Sequence, residues 1–165
     1  MVTRLKTFSL IITILILLSC NEKGTIEKGI IGEYSIVYIA HKDTDLLYNL
    51  TLNIIEFNKN GTVKLPGIIS RNNHLREDKT LTGTWKVYEK DSNFFIEIET
   101  TNYYFKDIYE VSFGVNKEKE ALQVLLFSKK LTIGAEKNSF NSERNKSFVE
   151  KLIKVCTTDS IKELQ

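Results

Sequence analysis

The sequence predicts an antiparallel all-β domain followed by one C-terminal helix. Two observations carry this. Between residues 30 and 137, apolar and polar residues alternate with period two in about eight short segments separated by turn residues, the spacing that buries one face of a strand. After Asn138 the period lengthens: Phe148, Leu152, Val155 and Cys156 share one helical face, with Val149 and Ile153 beside them, as in an amphipathic helix.

Ahead of the strands, Arg4 and Lys6 precede the apolar run Phe8 to Leu18, which Leu17-Leu18-Ser19-Cys20 closes. The run fits the ~7–15 residues of a secretory h-region and is shorter than the ~18 that argue a membrane span. Leu17 at −3, the small Ser19 at −1 and Cys20 at +1 resemble the lipobox of bacterial lipoproteins. The resemblance implies cleavage between Ser19 and Cys20, acylation of the Cys20 thiol, and a mature chain held to membrane lipid without crossing it. More than one acyl chain holds a protein stably at a membrane, where a single chain does not. Asn21, in place of Asp, points by the same resemblance to the outer membrane. Residues 1–19 are thus expected to be a signal peptide, 20–29 a short polar tether, 30–137 the β domain and 138–165 a helical segment.

Charge and cysteine content narrow the function classes. The formal net charge is +2, and residues 1–19 hold Arg4 and Lys6 and no acid, so the mature domain is balanced. A nucleic-acid partner is not expected, since that needs clustered Lys or Arg. With Cys20 acylated, Cys156 is the one thiol left, which excludes an internal disulfide and leaves it a small packing residue. Abundant Lys, Asn and Ile with a single proline, Pro66, suggest an AT-rich genome of Bacteroidota style.

The strands follow in order. Gly32 to Ala40 is the first. Asn49 to Asn58 is the second, where Leu50, Leu52 and Ile54 alternate with Thr51 and Asn53. Asn60-Gly61 suits a type I′ hairpin, so Thr62 to Ile69 should pair back. The polar stretch Ser70 to Lys79, with Arg71, His74, Arg76, Glu77 and Asp78, reads as the longest loop. Thr80 to Thr101 reads as a hairpin about Lys90-Asp91-Ser92-Asn93. Its first strand puts Leu81, Gly83, Trp85 and Val87 on one face, and its second puts Phe94, Ile96 and Ile98 opposite Phe95, Glu97 and Glu99. Tyr103 to Val115, Ala121 to Ser128 and Lys130 to Lys137 complete the set, the last two being one bent strand or two. The helix spans about 14 residues, capped by Asn141 or Ser142, with Lys151 and Lys154 near its C-terminus suiting the helix dipole.

Three motifs then line up: Gly32-Glu33-Tyr34, Phe57-Asn58-Lys59-Asn60-Gly61-Thr62, and Gly83-Thr84-Trp85-Lys86-Val87. Together they resemble bacterial lipocalin-like domains over Ile30 to Lys137, with Tyr34 standing where that family has Trp and the C-terminal helix added. The resemblance implies an up-and-down antiparallel barrel of about eight strands, just wide enough for one small ligand or for its own side chains. It also implies a small apolar ligand lined by Tyr34, Ile36, Tyr38, Trp85, Val87, Phe94, Ile96, Ile98, Val111 and Phe113. The competing reading is a filled barrel that docks to another envelope protein through the loop around Arg71 to Asp78 or the helix face around Lys146.

Catalytic and cofactor signatures are absent from the sequence. Neither His41, with Asp43 and Asp45 nearby, nor His74 has a partner at metal-ligand spacing, so no metal or cofactor is expected. There is no nucleophile with a paired base and no phosphate-cradling glycine loop, and no enzyme is expected. Asp159-Ser160-Ile161 resembles the O-glycosylation motif of Bacteroidota, with Ser160 as acceptor.

Overall fold

The computed structural model describes residues 22–42, 44–69, 80–138, 140 and 145–157. Ser19, Cys20, Asp43, the loop over 70–79, Asn141, Ser142 and Ser160 lie outside the described residues. In chain order the elements are α1 (residues 22–30), β1 (Gly32–His41), β2 (Thr44–Asp45), a 3-10 turn (Leu47–Asn49), β3 (Ile54–Phe57), β4 (Thr62–Leu65), β5 (Leu81–Lys90), β6 (Asn93–Thr100), β7 (Asp107–Asn116), β8 (Ala121–Phe127), β9 (Leu131–Lys137) and α2 (Lys146–Thr157). Each long strand pairs antiparallel with the next, and β1 pairs with β9 from Tyr34↔Lys137 to His41↔Leu131. That last pairing closes an eight-stranded up-and-down barrel, with the two-residue β2 left outside it.

The three motifs meet in space. Phe57 lies edge-on to both Tyr34 and Trp85, at centroid distances of 6.2 and 5.6 Å, the geometry that aromatic quadrupoles favour. Trp85 donates its indole N–H to the Asn58 carbonyl at 3.0 Å, and its backbone N–H to Gly61 O at 2.8 Å. The β3–β4 hairpin forms as expected, but by a different turn. Gly61 takes φ +80 while Asn60 stays at negative φ, and Asn58 N–H bonds Thr62 O. This is a three-residue loop with Gly in the left-handed position, not a type I′ turn. Asn60 selects it by accepting from both Thr62 N–H and Thr62 Oγ1. Consecutive positive φ values occur instead at Asp91 and Ser92, between β5 and β6.

Three other expectations are corrected, and the choice left open for residues 121–137 is settled. The second strand shrinks to Ile54–Phe57 and its inward face changes parity: Ile55 and Phe57 are buried, whereas Leu52 and Ile54 are exposed. Residues 46–50 fold across the barrel end, burying Leu46 and Leu50, with Leu46 N–H bonded to Ile39 O. Residues 103–105 form a turn, so β7 begins only at Asp107. Residues 121–137 are two strands, β8 and β9, joined at Ser128, whose hydroxyl donates to Leu131 O.

The third correction concerns the tether. Residues 22–30 are helical, and Thr25, Ile26, Gly29 and Ile30 form a buried stripe on the barrel mouth. The barrel holds its C-terminal end. Lys137, on β9, donates to the terminal carbonyls of Gly29 at 2.8 Å and Ile31 at 2.5 Å, and Tyr34 Oη donates to Gly29 O. A cation at a helix C-terminus satisfies orphan carbonyls and complements the dipole. Burial nevertheless pulls the Lys137 amine down to about 8. The sequence signal was there, in Ile26 and Ile30 at i and i+4, but four charges between residues 22 and 28 mask it.

Candidate functional site: a filled barrel with an uncharged outer face

An empty cavity leaves its walls facing open space. The inward side chains of Tyr34, Ile39, Ile96, Ile98, Tyr109, Leu122 and Ile133 are 0% exposed, so they face one another. Of the side chains expected to line a ligand cavity, Tyr34, Ile36, Trp85, Val87, Phe94, Ile96, Ile98, Val111 and Phe113 all point inward and are buried in this packed core. Tyr38 does not. A bulge between Ile36 and Tyr38 shifts the register of β1 against β9, so Ile39 turns inward and Tyr38 outward at 49% exposure. One extra residue in a strand exchanges its faces.

The few polar groups inside serve the fold. Tyr109 donates its hydroxyl to Phe105 O at 2.9 Å, and burial pushes its phenol above the ordinary range, as it does for Tyr34. Among the described residues no cluster of three His, Cys, Asp or Glu comes together to hold a metal ion. His41 packs edge-on against Tyr104, with centroids 5.3 Å apart, and its Nε2 is buried without a hydrogen-bond partner.

The outer surface is divided. Along β3 to β6 it carries cross-strand ion pairs at 2.8 Å: Lys64 with Glu56 and Lys86 with Glu97, with Lys106 on Glu99 beyond them. These exposed pairs add little stability but cover that face with charge. Glu97 and Glu99 belong here, on a solvated strand face.

Over the middle of β1, β9 and β8, between Glu136 on β9 at one side and Glu110 opposite Phe127 at the other, the outer face is uncharged. Tyr38 lies opposite Gly134, Gly134 opposite Leu125, and Leu125 opposite Ser112 on β7. Val37, Leu125 and Phe127 stand 40, 42 and 56% exposed around this row. Gly114 and Gly134 present no side chain, which opens a shallow groove of about 360 Å³ lined by Val37, Tyr38, Ser112, Gly114, Gln123 and Leu125 among others. The β8 segment Ala-Leu-Gln-Val-Leu-Leu-Phe is apolar on both faces. That is the sequence signal for this surface, and it reads as easily as a doubly buried strand.

Glu136 borders the uncharged face. It accepts from Lys119 at 2.9 Å, Asn116 at 2.8 Å and Gln123 at 3.2 Å, and these bonds hold its carboxyl below the ordinary value. The native state therefore binds the proton less readily than the unfolded chain. The stabilisation is complete above the ordinary carboxylate range and lost as pH falls through the lowered value. Glu136→Gln is expected to flatten the acid limb of stability, read as the urea midpoint from pH 7 to 3. An unchanged limb refutes this account.

Comparison with protein-family models, curated proteins and solved structures finds no match to this chain. Its function is therefore read from geometry and sequence.

Proposed function

We propose that this chain is a lipid-anchored docking module of the bacterial cell envelope, held through acylated Cys20 on the outer membrane and binding another envelope protein with the uncharged face of β1, β9 and β8. The observation that carries this reading is the contrast between the uncharged patch of Val37, Tyr38, Gly134, Leu125 and Phe127 and the ion-paired outer face of β3 to β6. Interface cores are depleted of charge and enriched in aromatic side chains, and a contiguous exposed apolar patch marks a contact surface. The matching partner surface is uncharged and carries a protruding apolar side chain for the groove beside Leu125. The packed interior supports docking over carriage inside the barrel, since an interior ligand would have to displace core side chains.

A photo-crosslinking residue at Leu125, compared with one at Thr84 on the ion-paired side, tests this in intact cells. One stoichiometric heteromeric product from Leu125 alone, lost on Phe127→Glu, is the expected result. Equal products from both positions, a product of two copies of this chain, or lipid adducts only, would each overturn it. Metabolic labelling with palmitate, abolished by Cys20→Ala, tests the anchor separately.

The groove itself favours a second reading, a small apolar ligand on the outside of the barrel, because its volume lies at the small end of ligand sites. N-phenyl-1-naphthylamine is the probe. A saturable fluorescence increase that Gly114→Leu removes supports this reading, and a linear response sinks it.

A further inference from the structure

We infer that α2 is a detachable lid on the mouth of the barrel, latched where Leu152 seats on Gly29, and that it opens without unfolding the barrel. No strand pairs with α2, so lifting it breaks no ladder hydrogen bond. It packs on β7, and Leu152 reaches Gly29 of α1. Of its described side chains only Val149 and Leu152 are buried, while Phe148, Ile153, Val155 and Cys156 are partly covered.

The latch is specific. A β-carbon on Gly29 would lie 2.8 Å from Leu152 Cδ2 and 2.9 Å from Phe113 Cζ. The missing side chain is therefore the space that Leu152 fills. Ile26 and Ile30 of α1, both 0% exposed with α2 in place, lie beside the latch. Elements held by few buried contacts and no ladder open at lower free energy than the sheet they cover.

The position of the seat suggests what the lid responds to. Gly29 belongs to α1, the element that the tether region became. Displacing α1 displaces the seat, so the lid senses whether the N-terminal helix is docked. Opening uncovers the apolar face of α2 and the Phe113 edge, both hidden in the closed state.

Cys156 reports on opening because it lies on α2 beside β7, with its thiol pushed up to about 11 by burial. In the full chain carrying Cys20→Ser it is the only thiol. Maleimide labelling of Cys156 is compared with global unfolding read by Trp85 fluorescence. The expected result is labelling in the absence of urea at least ~100-fold faster than global unfolding permits, with little urea dependence. Leu152→Ala should accelerate it at least ~10-fold with a much smaller shift in the Trp85 midpoint.

Labelling that tracks Trp85 unfolding with the same urea dependence would overturn the proposal, because α2 would then be an integral part of the domain. Labelling of the unmutated lid at the rate of a free thiol would overturn it too, because there would be no closed state. Should Leu152→Ala fail to fold, amide exchange decides on the Cys20→Ser chain. Amides of α2 should exchange well ahead of those of β7, and equal protection rejects the lid.

Discussion

Phe57→Ala is expected to cost about 3–5 kcal/mol, the range for truncating a fully buried aromatic. Phe57 is 1% exposed and joins Tyr34 to Trp85 in one edge-to-face chain. Its loss removes both ring contacts, each contributing about 0.5–1.5 kcal/mol beyond burial, and leaves a void between β1 and β5. Urea unfolding followed by Trp85 fluorescence measures it. The size of the effect tests the packed interior directly. A barrel that already held a ligand-sized space would lose few contacts when one ring is trimmed, so a cost below about 1 kcal/mol would contradict the filled core. The void left in the variant is apolar and should stay dry. Toluene should therefore stabilise Phe57→Ala and leave the unmodified protein unchanged, read as a shift in Tm.

Gly83→Ala is expected to destabilise by about 1–3 kcal/mol or more, as overpacking does. Replacing Gly with Ala usually stabilises a chain by about 0.4–1 kcal/mol where the backbone permits it, so the sign itself is the test. Gly83 lies between Val63 on β4 and Thr100 on β6. A β-carbon there would sit 2.5 Å from the Glu99 carbonyl oxygen, 3.0 Å from Thr100 Cβ and 3.3 Å from Val63 Cγ1. The first of these is a backbone atom in a paired strand, which moves only if β5 and β6 separate. Gly114 supplies the control: its β-carbon would meet nothing nearer than Gln123 Oε1 at 4.0 Å, and Gly114→Ala should be neutral or stabilising. If both variants shift the thermal midpoint alike, steric exclusion by the Glu99 carbonyl is the wrong account of Gly83.

The parts of this molecule legible in advance were those written locally. Trp85, Val87, Phe94, Ile96 and Ile98 announce their inward faces because each alternates with a polar or charged neighbour. β1 was harder to read. Ser35-Ile36-Val37-Tyr38-Ile39-Ala40 is apolar at both parities, so nothing local says where the bulge falls or that Tyr38 faces outward. β8 hid the outer face for the same reason. In residues 22–30, Ile26 and Ile30 are too few to signal a helix until a barrel mouth exists for them to fill.

Alternation records the two environments on either side of each strand, so the antiparallel strands, their order and most of their inward residues are legible in the chain, as is the C-terminal helix from its longer period. The sequence also carries the Cys20 signal on which the anchor proposal rests. The filled interior, the covering of one mouth by α1 and α2, and the single uncharged surface of Tyr38, Gly134 and Leu125 emerge only on folding. Those properties depend on barrel closure, which sets β1 beside β9 at a register fixed by a bulge. Contacts between residues so far apart in the chain leave no periodic trace in it.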